Sequence, residues 1–596
     1  MVNSLFFMLT FFMLLSSLVI YPKTERKLGF IQECVMYFLV VMSYGAVGAG
    51  IINNVKIPVN LCSMSIIYMI PAVILWGSIL LKKKVQKLSI SKVEVVSIIL
   101  LSVVFLLIEL KTFSVEMRAA YNYNTDAGNH LYDALSVVRR ENVSVSGMYF
   151  AALYNGLTIE MFQPFLEEIK YYKGFVFADN FHYYFEMLFY YAVIFSVAKK
   201  KHTKYLAPVF TLLLWMGYPL YSYIEGHYVY WGWGAMLLCL IIYALEQYIE
   251  YKDDFVGCIL KAVFGFVGVV LCYSLFAPLA IVAIGVIAII EMKKKKIKID
   301  KRLSIGILIA GVIVGGIAGY VYYRNFYLRG ESIFESLKVN GGCYANLYTD
   351  FLWVIPIILI FFFCCYKKQT YMHVYGKVYL SFVGVQILLL VMFFAKMLSA
   401  YYYYKFYYPI WFLTWVLVAV AVDTVPIEKS ERKFVYAYTA LVSIVYISCL
   451  CRVPELLNST EAGWISAESS MGTELYSKNV ASLGKNFEER KYSSAQFEIC
   501  EFVMENLRDT GEKVPFAGWW DCMGQGNWYR AITDMGNITR QMMQAEGDSW
   551  KELLEADDLK YYVVLKTSEL YKENSDYFNE LNWIFENEEG FVVQTY

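Results

Sequence analysis

The segment Asn124-Thr125-Asp126-Ala127-Gly128-Asn129-His130 sets a carboxylate four residues ahead of an imidazole. On a helix that spacing puts both groups on neighbouring positions of one face. An aspartate so held can act as general base on a hydroxyl, and the histidine can orient it or bind a phosphate. Aspartate is also a common helix cap, and the two roles are compatible. The segment lies in a polar stretch, 111–182, inside a chain that is otherwise strongly apolar. A carboxylate at a membrane surface beside a long apolar body points to chemistry on a lipid-linked substrate.

Two further segments carry groups suited to such a substrate. Ser399-Ala400-Tyr401-Tyr402-Tyr403-Tyr404-Lys405-Phe406-Tyr407-Tyr408 embeds Lys405 among six tyrosines. Tyrosines gather at membrane interfaces, so an aromatic belt is one reading. The lysine adds a point charge for a lipid phosphate, and rings such as Tyr404 add faces for a sugar or a prenyl chain. Lys396, nine residues earlier, and Arg324 and Arg329 are further candidates for the phosphate. The third segment, Glu225-Gly226-His227-Tyr228-Val229-Tyr230-Trp231-Gly232-Trp233-Gly234, offers Glu225 and His227 as substrate contacts. Its glycines permit close helix approach or the passage of a polyprenyl chain. Asp179 and His182 read as interfacial structural residues.

The elements that must position these groups follow from composition. The 596 residues are 58% hydrophobic and 17% charged, with zero net charge, which removes nucleic acid as a partner and makes the lipid bilayer the expected one. Apolar runs predict a polytopic α-helical membrane protein of about fourteen transmembrane helices, centred near 12, 42, 71, 102, 190, 213, 240, 265, 283, 313, 358, 385, 415 and 443. The region 256–291 is too long for one span and should break between Ser274 and Pro278. The first run, Leu5 to Ile20, has no preceding lysine or arginine and reads as a retained span.

Within the polar stretch, Leu131, Leu135 and Val138 repeat at helical spacing. Phe162, Phe165, Leu166 and Ile169 predict an amphipathic helix along the membrane interface. The region 453–596 is polar and reads as a C-terminal extracytoplasmic α/β domain. Helices are expected over 494–507 and 549–556, with strands over 513–517, 561–566 and 591–595. It lacks a phosphate loop, a nucleophile elbow and metal-ligand spacing, so an accessory or acceptor-binding role fits it better than catalysis. The chain thus divides into N-terminal helices (1–92), a transmembrane core (93–452) and the terminal domain (453–596). Cys500 and Cys522 share that last region, and the sequence leaves open whether they pair.

Together these features resemble the GT-C class of glycosyltransferases, multispan enzymes that take sugars from polyprenyl-phosphate carriers. The likeness lies in Asp126 within a large outer loop, many spans, outer basic and tyrosine-rich segments and a terminal outer domain. The resemblance implies that Asp126 is the catalytic base and that the partners are a polyprenyl-phosphate-linked sugar and a glycan or polymer acceptor. A divalent metal ion is compatible with it. The chain departs from the class in carrying this loop after the fourth span rather than the first. Lysine- and tyrosine-rich composition points toward a Gram-positive bacterium, and so toward a cell-wall or surface polysaccharide as acceptor. The competing readings are a flippase or transporter for lipid-linked oligosaccharide and a polysaccharide polymerase or ligase relying on arginines such as Arg324. A transporter should show internal repeats or charges deep within spans; no clear repeat is evident, and ionisable residues are largely confined to span ends.

Orientation is testable at once. Basic residues crowd alternate loops: Lys23/Arg26/Lys27, Lys82–Lys84, Lys199–Lys201, Lys293–Lys296, Lys367-Lys368 and Lys429/Arg432/Lys433. The positive-inside rule puts these loops in the cytoplasm and 453–596 outside. Alkaline phosphatase fused after Arg452 should therefore be active, and a reporter that works only in the cytoplasm should be silent there.

Overall fold

The computed structural model describes residues 1–112, 125–143, 149–217, 229–293, 315–320, 373–424 and 492–595, apart from single positions inside these ranges, together with a few positions near 335–338. The described chain is mostly helical, with a small C-terminal sheet. Among the described residues, six helices are long and apolar enough to cross a membrane, as in a multi-pass membrane protein: Val2–Ile20, Phe30–Asn54, Leu61–Lys82, Val229–Tyr251, Phe255–Ile289 and Val374–Phe394. Helices also form near 102, 190, 213 and 415. The expected spans near 313, 358 and 443 lie largely or wholly outside the described residues. The expected break in the long apolar region is present, as a 3-10 turn over Ser274–Phe276.

The membrane body begins with α1 (Val2–Ile20), α2 (Phe30–Asn54), α3 (Leu61–Lys82) and α4 (Lys92–Thr112). A two-residue strand, β1 (Leu28–Gly29), pairs in parallel with β2 (Leu88–Ser89) and ties the loop before α2 to the loop before α4. Two helices follow from the polar stretch, α5 (Thr125–Arg140) and α6 (Tyr149–Phe162). The body continues with α7 (Tyr172–Val197), α8 (Lys201–Gly217), α9 (Val229–Tyr251), α10 (Phe255–Tyr273) and α11 (Ala277–Lys293). It closes with α12 (Val374–Phe394), the short α13 (Ala400–Lys405) and α14 (Tyr407–Thr424). Helix α9 is buried nearly all round, which accounts for its unbroken apolar sequence and makes it the centre of the bundle. It packs against α7, α10 and α11.

Glycine sets how closely α9 approaches α7. A Cβ on Gly232 would stand 2.4 Å from the His182 Nε2, so a side chain there would push the two helices apart. The close helix approach expected of this glycine-rich segment is thus realised.

The polar stretch differs from expectation in one place. Phe162 to Ile169 do not form a continuous amphipathic helix; α6 ends at Phe162 and two 3-10 turns follow, Gln163–Phe165 and Glu168–Lys170. Leu166 and Glu167 between them are extended, as residues leaving a proline-containing turn readily are. Phe165 is exposed, so the stripe does not pack as one face.

Beyond 491 the chain forms a compact α/β unit. Helix α15 (Ser494–Asn506) starts with a reciprocal capping box between Ser493 and Gln496. Helices α16 (Met523–Thr533), α17 (Thr539–Gln544) and α18 (Ser549–Leu554) follow. The strands β3 (Tyr561–Leu565), β4 (Asn582–Glu586) and β5 (Gly590–Gln594) form an antiparallel sheet in the order β3-β5-β4. The expected strand at 513–517 contributes isolated bridges from Phe516 to Val563 and Asn537. Cys500 and Cys522 are both buried free thiols.

This unit shares a hydrophobic core with the polar stretch. Ala127, Leu131, Ala134 and Leu135 of α5 pack with Val503, Phe516, Trp528, Tyr529 and Ile532. Arg139 donates from Nη1 to the Ala531 carbonyl at 2.7 Å and from Nη2 to the Ile532 carbonyl at 2.5 Å, occupying acceptors near the end of α16. Glu168 accepts from both Arg139 and Arg508, while Arg140 reaches Asp534 in a more exposed pair. Arg139→Ala should therefore destabilise the docked unit by about 3 kcal/mol, since it strands buried carbonyls. Arg140→Ala should cost under about 1 kcal/mol, as exposed pairs do. Thermal melts and the rate of proteolytic release of the C-terminal unit would read both. Equal effects of the two would show that the carbonyl contacts do not hold it.

Candidate functional site

Helix α5 starts at Thr125, one turn earlier than a start at Gly128 would give, and Asp126 stands in its first turn. There a carboxylate is favoured by the helix dipole whatever else it does. Gly128, two residues on, faces α16: a Cβ there would meet the Asn527 carbonyl carbon at 2.7 Å and the Trp528 nitrogen at 2.8 Å. The backbone contact fixes α5 against the C-terminal unit beside Asp126. Asn129 reinforces it by accepting from Arg530 at 2.7 Å, and Arg530 in turn covers the Tyr132 ring at 4.3 Å.

His130 turns the other way, toward the membrane body, with its ring edge-on to Tyr230 at 5.4 Å. Tyr230 continues into a cluster of rings with Trp231 and Tyr273, at 6.2 and 5.3 Å between centroids. The Lys405 ammonium stands inside that cluster. It lies 5.0 Å from the centre of Trp231, 5.3 Å from Tyr402 and 5.5 Å from Tyr273. Ring faces carry negative quadrupole density, so such a cage favours a cation, though less than water does.

Lys405 is buried, at 6% exposure. Burial pushes its ammonium down to about 7, and the negative charge of Asp126 works in the opposite direction. The two residues farthest apart in the sequence reading, Asp126 and Lys405, therefore sit close enough to feel each other's charge. Helix α13 is held from behind, where Gln386 donates to the Tyr403 carbonyl at 3.1 Å.

The remaining candidates divide. Lys396 is exposed in the turn after α12, in a left-handed conformation at φ 59°. Tyr404 belongs to α13. Glu225, His227, Arg324 and Arg329 lie outside the described residues. Asp179 and His182 are buried on α7: Asn155 donates to Asp179 at 3.4 Å, and the His182 ring packs at 4.5 Å on Trp233. Below them Tyr408 donates to Tyr190, which donates to Glu186, with His182 3.7 Å from the same carboxylate. This polar chain lies within the helix bundle and ties α7 to α14.

The sequence reading missed Trp231 and Tyr273 as walls around the lysine. Trp231 stood inside the glycine- and aromatic-rich segment, and Tyr273 directly preceded the expected break at Ser274, where interfacial aromatics collect. Helix α16 was missed because Gly524 and Gly526 mask its periodicity; a Cβ on Gly526 would meet Phe516 at 2.7 Å. No protein-family model matches the chain, and no curated protein matches it.

The caged lysine gives a pH dependence with a definite sign. Burial favours the neutral amine, while an anion is bound by the ammonium. Binding of a phosphodiester, which keeps its single charge throughout this range, should thus hold below pH 7 and weaken above it, by about tenfold per pH unit. Lys405→Arg should flatten the profile, because guanidinium stays charged. A profile that is flat in the native protein, measured by equilibrium binding of a polyprenyl-phosphate sugar, would remove Lys405 from anion binding.

Proposed function

We propose that this chain is a membrane glycosyltransferase that moves a sugar from a polyprenyl-phosphate donor to a glycan or polymer acceptor on the outer face of the membrane. The observation that carries the reading is the charge interaction between Asp126 and Lys405, from separate parts of the chain, with Lys405 among Trp231, Tyr273 and Tyr402 and His130 of the Asp126 helix packed on Tyr230. A base and a phosphate-binding cation are the two groups that transfer from a lipid phosphate requires. Trp231, Tyr273 and Tyr402 are suited to the sugar and the first prenyl units, being flat, apolar and ringed by polar tips.

In this reading the acceptor hydroxyl gives its proton to the Asp126 carboxylate. The oxygen attacks the anomeric carbon and forms the new glycosidic bond. The bond from that carbon to the phosphate oxygen breaks, and its electron pair leaves with the polyprenyl phosphate, whose added charge the Lys405 ammonium offsets. His130, one turn after Asp126 and packed on Tyr230, bounds the acceptor side. The C-terminal unit, docked on the helix that carries Asp126, is suited to holding the acceptor. The outer location rests on the alternation of basic loops.

The test is Asp126→Asn. The amide preserves shape and the first-turn position but takes no proton, so transfer should fall by roughly 10²- to 10⁴-fold at normal expression. The assay is transfer of label from a panel of polyprenyl-phosphate sugars in proteoliposomes. Near-normal transfer by the Asn variant would take Asp126 out of the mechanism.

A further inference from the structure

The opposite end of the bundle holds a second cluster of charged groups. Helix α2 shows the geometry: its C-terminal end meets the polar stretch, where Asn53 donates to the Val143 carbonyl at 2.8 Å, and its N-terminal end lies 25 residues away, about 37 Å along a helix. Beside that N-terminal end is a half-open cavity of about 350 Å³. The ends of α7, α9 and α10 remote from the Lys405 cluster and the N-terminal ends of α4 and α8 converge on it.

Among the described residues, five cations line it, Arg26, Lys27, Lys199, Lys204 and Lys261, against three carboxylates, Glu33, Glu94 and Asp254. Each carboxylate is already engaged. Glu33 accepts from Lys261 at 2.6 Å and from Lys23 at 3.0 Å, so one anion faces two cations, all of them almost fully buried. Glu94 accepts from Gln32 at 3.1 Å and from the Ser91 amide at 2.7 Å, and Asp254 caps α10 through the Gly257 amide. Lys199 pairs with Glu250.

The other cations are not matched. Among the described residues, Arg26, Lys27 and Lys204 have no carboxylate within ion-pair distance, and the buried Arg26 Nε has no acceptor. The Arg26 guanidinium carbon lies over the Tyr251 ring, 3.4 Å from its centre, a contact that restrains the group and leaves its N–H donors for a ligand. Lys204 rests over Phe195. A restrained guanidinium, flanking ammonium groups and a cavity of small-ligand size describe a receptor for a multiply charged oxyanion.

We propose that this cavity is a binding site for a phosphate-bearing anion, on the face of the membrane opposite the Asp126–Lys405 cluster. Two or more unmatched cations call for a ligand of at least two negative charges, which a phosphomonoester or a pyrophosphate carries near neutral pH. The same phosphate chemistry is carried by a lipid headgroup, entering between the helix ends, and by a soluble molecule, entering from the aqueous side. This site stands whether or not the transfer reading holds.

The test uses the full-length protein and the double variant Arg26→Gln/Lys204→Gln. Both residues line the cavity and neither takes part in the Glu33 ion pairs, so folding should be retained, and an unchanged melting temperature without ligand would verify it. A control, Lys83→Gln/Lys84→Gln, removes the same charge from exposed positions outside the cavity lining. Two probes are compared: inorganic pyrophosphate by calorimetry in detergent, and phosphatidic acid against phosphatidylcholine nanodiscs by thermal stabilisation. Saturable pyrophosphate binding, weakened at least about tenfold in the double variant and unchanged in the control, supports a soluble ligand. Stabilisation by phosphatidic acid alone, with the same dependence on the variant, supports a lipid headgroup. Absence of a response to either probe, or equal loss in the control, would overturn the site, the latter showing a diffuse basic surface instead.

Discussion

Helix α5 approaches α16 so closely at Gly128 that the backbone of one lies against the backbone of the other. Contact of this kind needs a residue without a Cβ and a flat apolar surround, which Ala127, Leu131 and Trp528 supply. Once it is made, the position of Asp126 in the first turn of α5 is no longer adjustable. The Arg139 bonds to the end of α16 and the Arg530 bond to Asn129 lock rotation about the contact. The carboxylate therefore belongs to the C-terminal unit as much as to the stretch of chain that contains it.

His130, one turn along the same helix, faces the membrane body instead. This divides α5 between two partners, with the C-terminal core on one side and the Tyr230–Trp231–Tyr273 cluster on the other. Lys405 is the counterpart on the bundle side. Its ammonium is desolvated, and the surrounding rings with the nearby carboxylate recover part of the cost.

The far end of the bundle obeys the same constraint with different means. Lys23, Lys261 and Glu33 are buried together, so the group retains a positive charge where helix ends converge. Around α9 the bundle is packed by rings and branched side chains, and among the described residues the buried Glu186 and His182 form a further polar group inside it.

The sequence alone determined that the chain is a helical membrane protein, because long apolar runs have no other stable arrangement in lipid. It also determined the break near Ser274, the C-terminal helices at 494–507 and 549–556 and the strands at 561–566 and 591–595, and it put Asp126 and Lys405 forward as candidates, since all of these depend on local residue type and spacing. Tertiary structure decided what those residues face. No local pattern relates Asp126 to Lys405 or brings Tyr273 beside Trp231, because these contacts arise from where helix ends meet. The amphipathic stripe from Phe162 failed as a helix for the same reason: Glu168 is used by Arg139 and Arg508 of the docked unit, and the turns that present it interrupt the helical period. Periodicity records which face a helix buries; which neighbour covers that face is set by packing across the whole bundle.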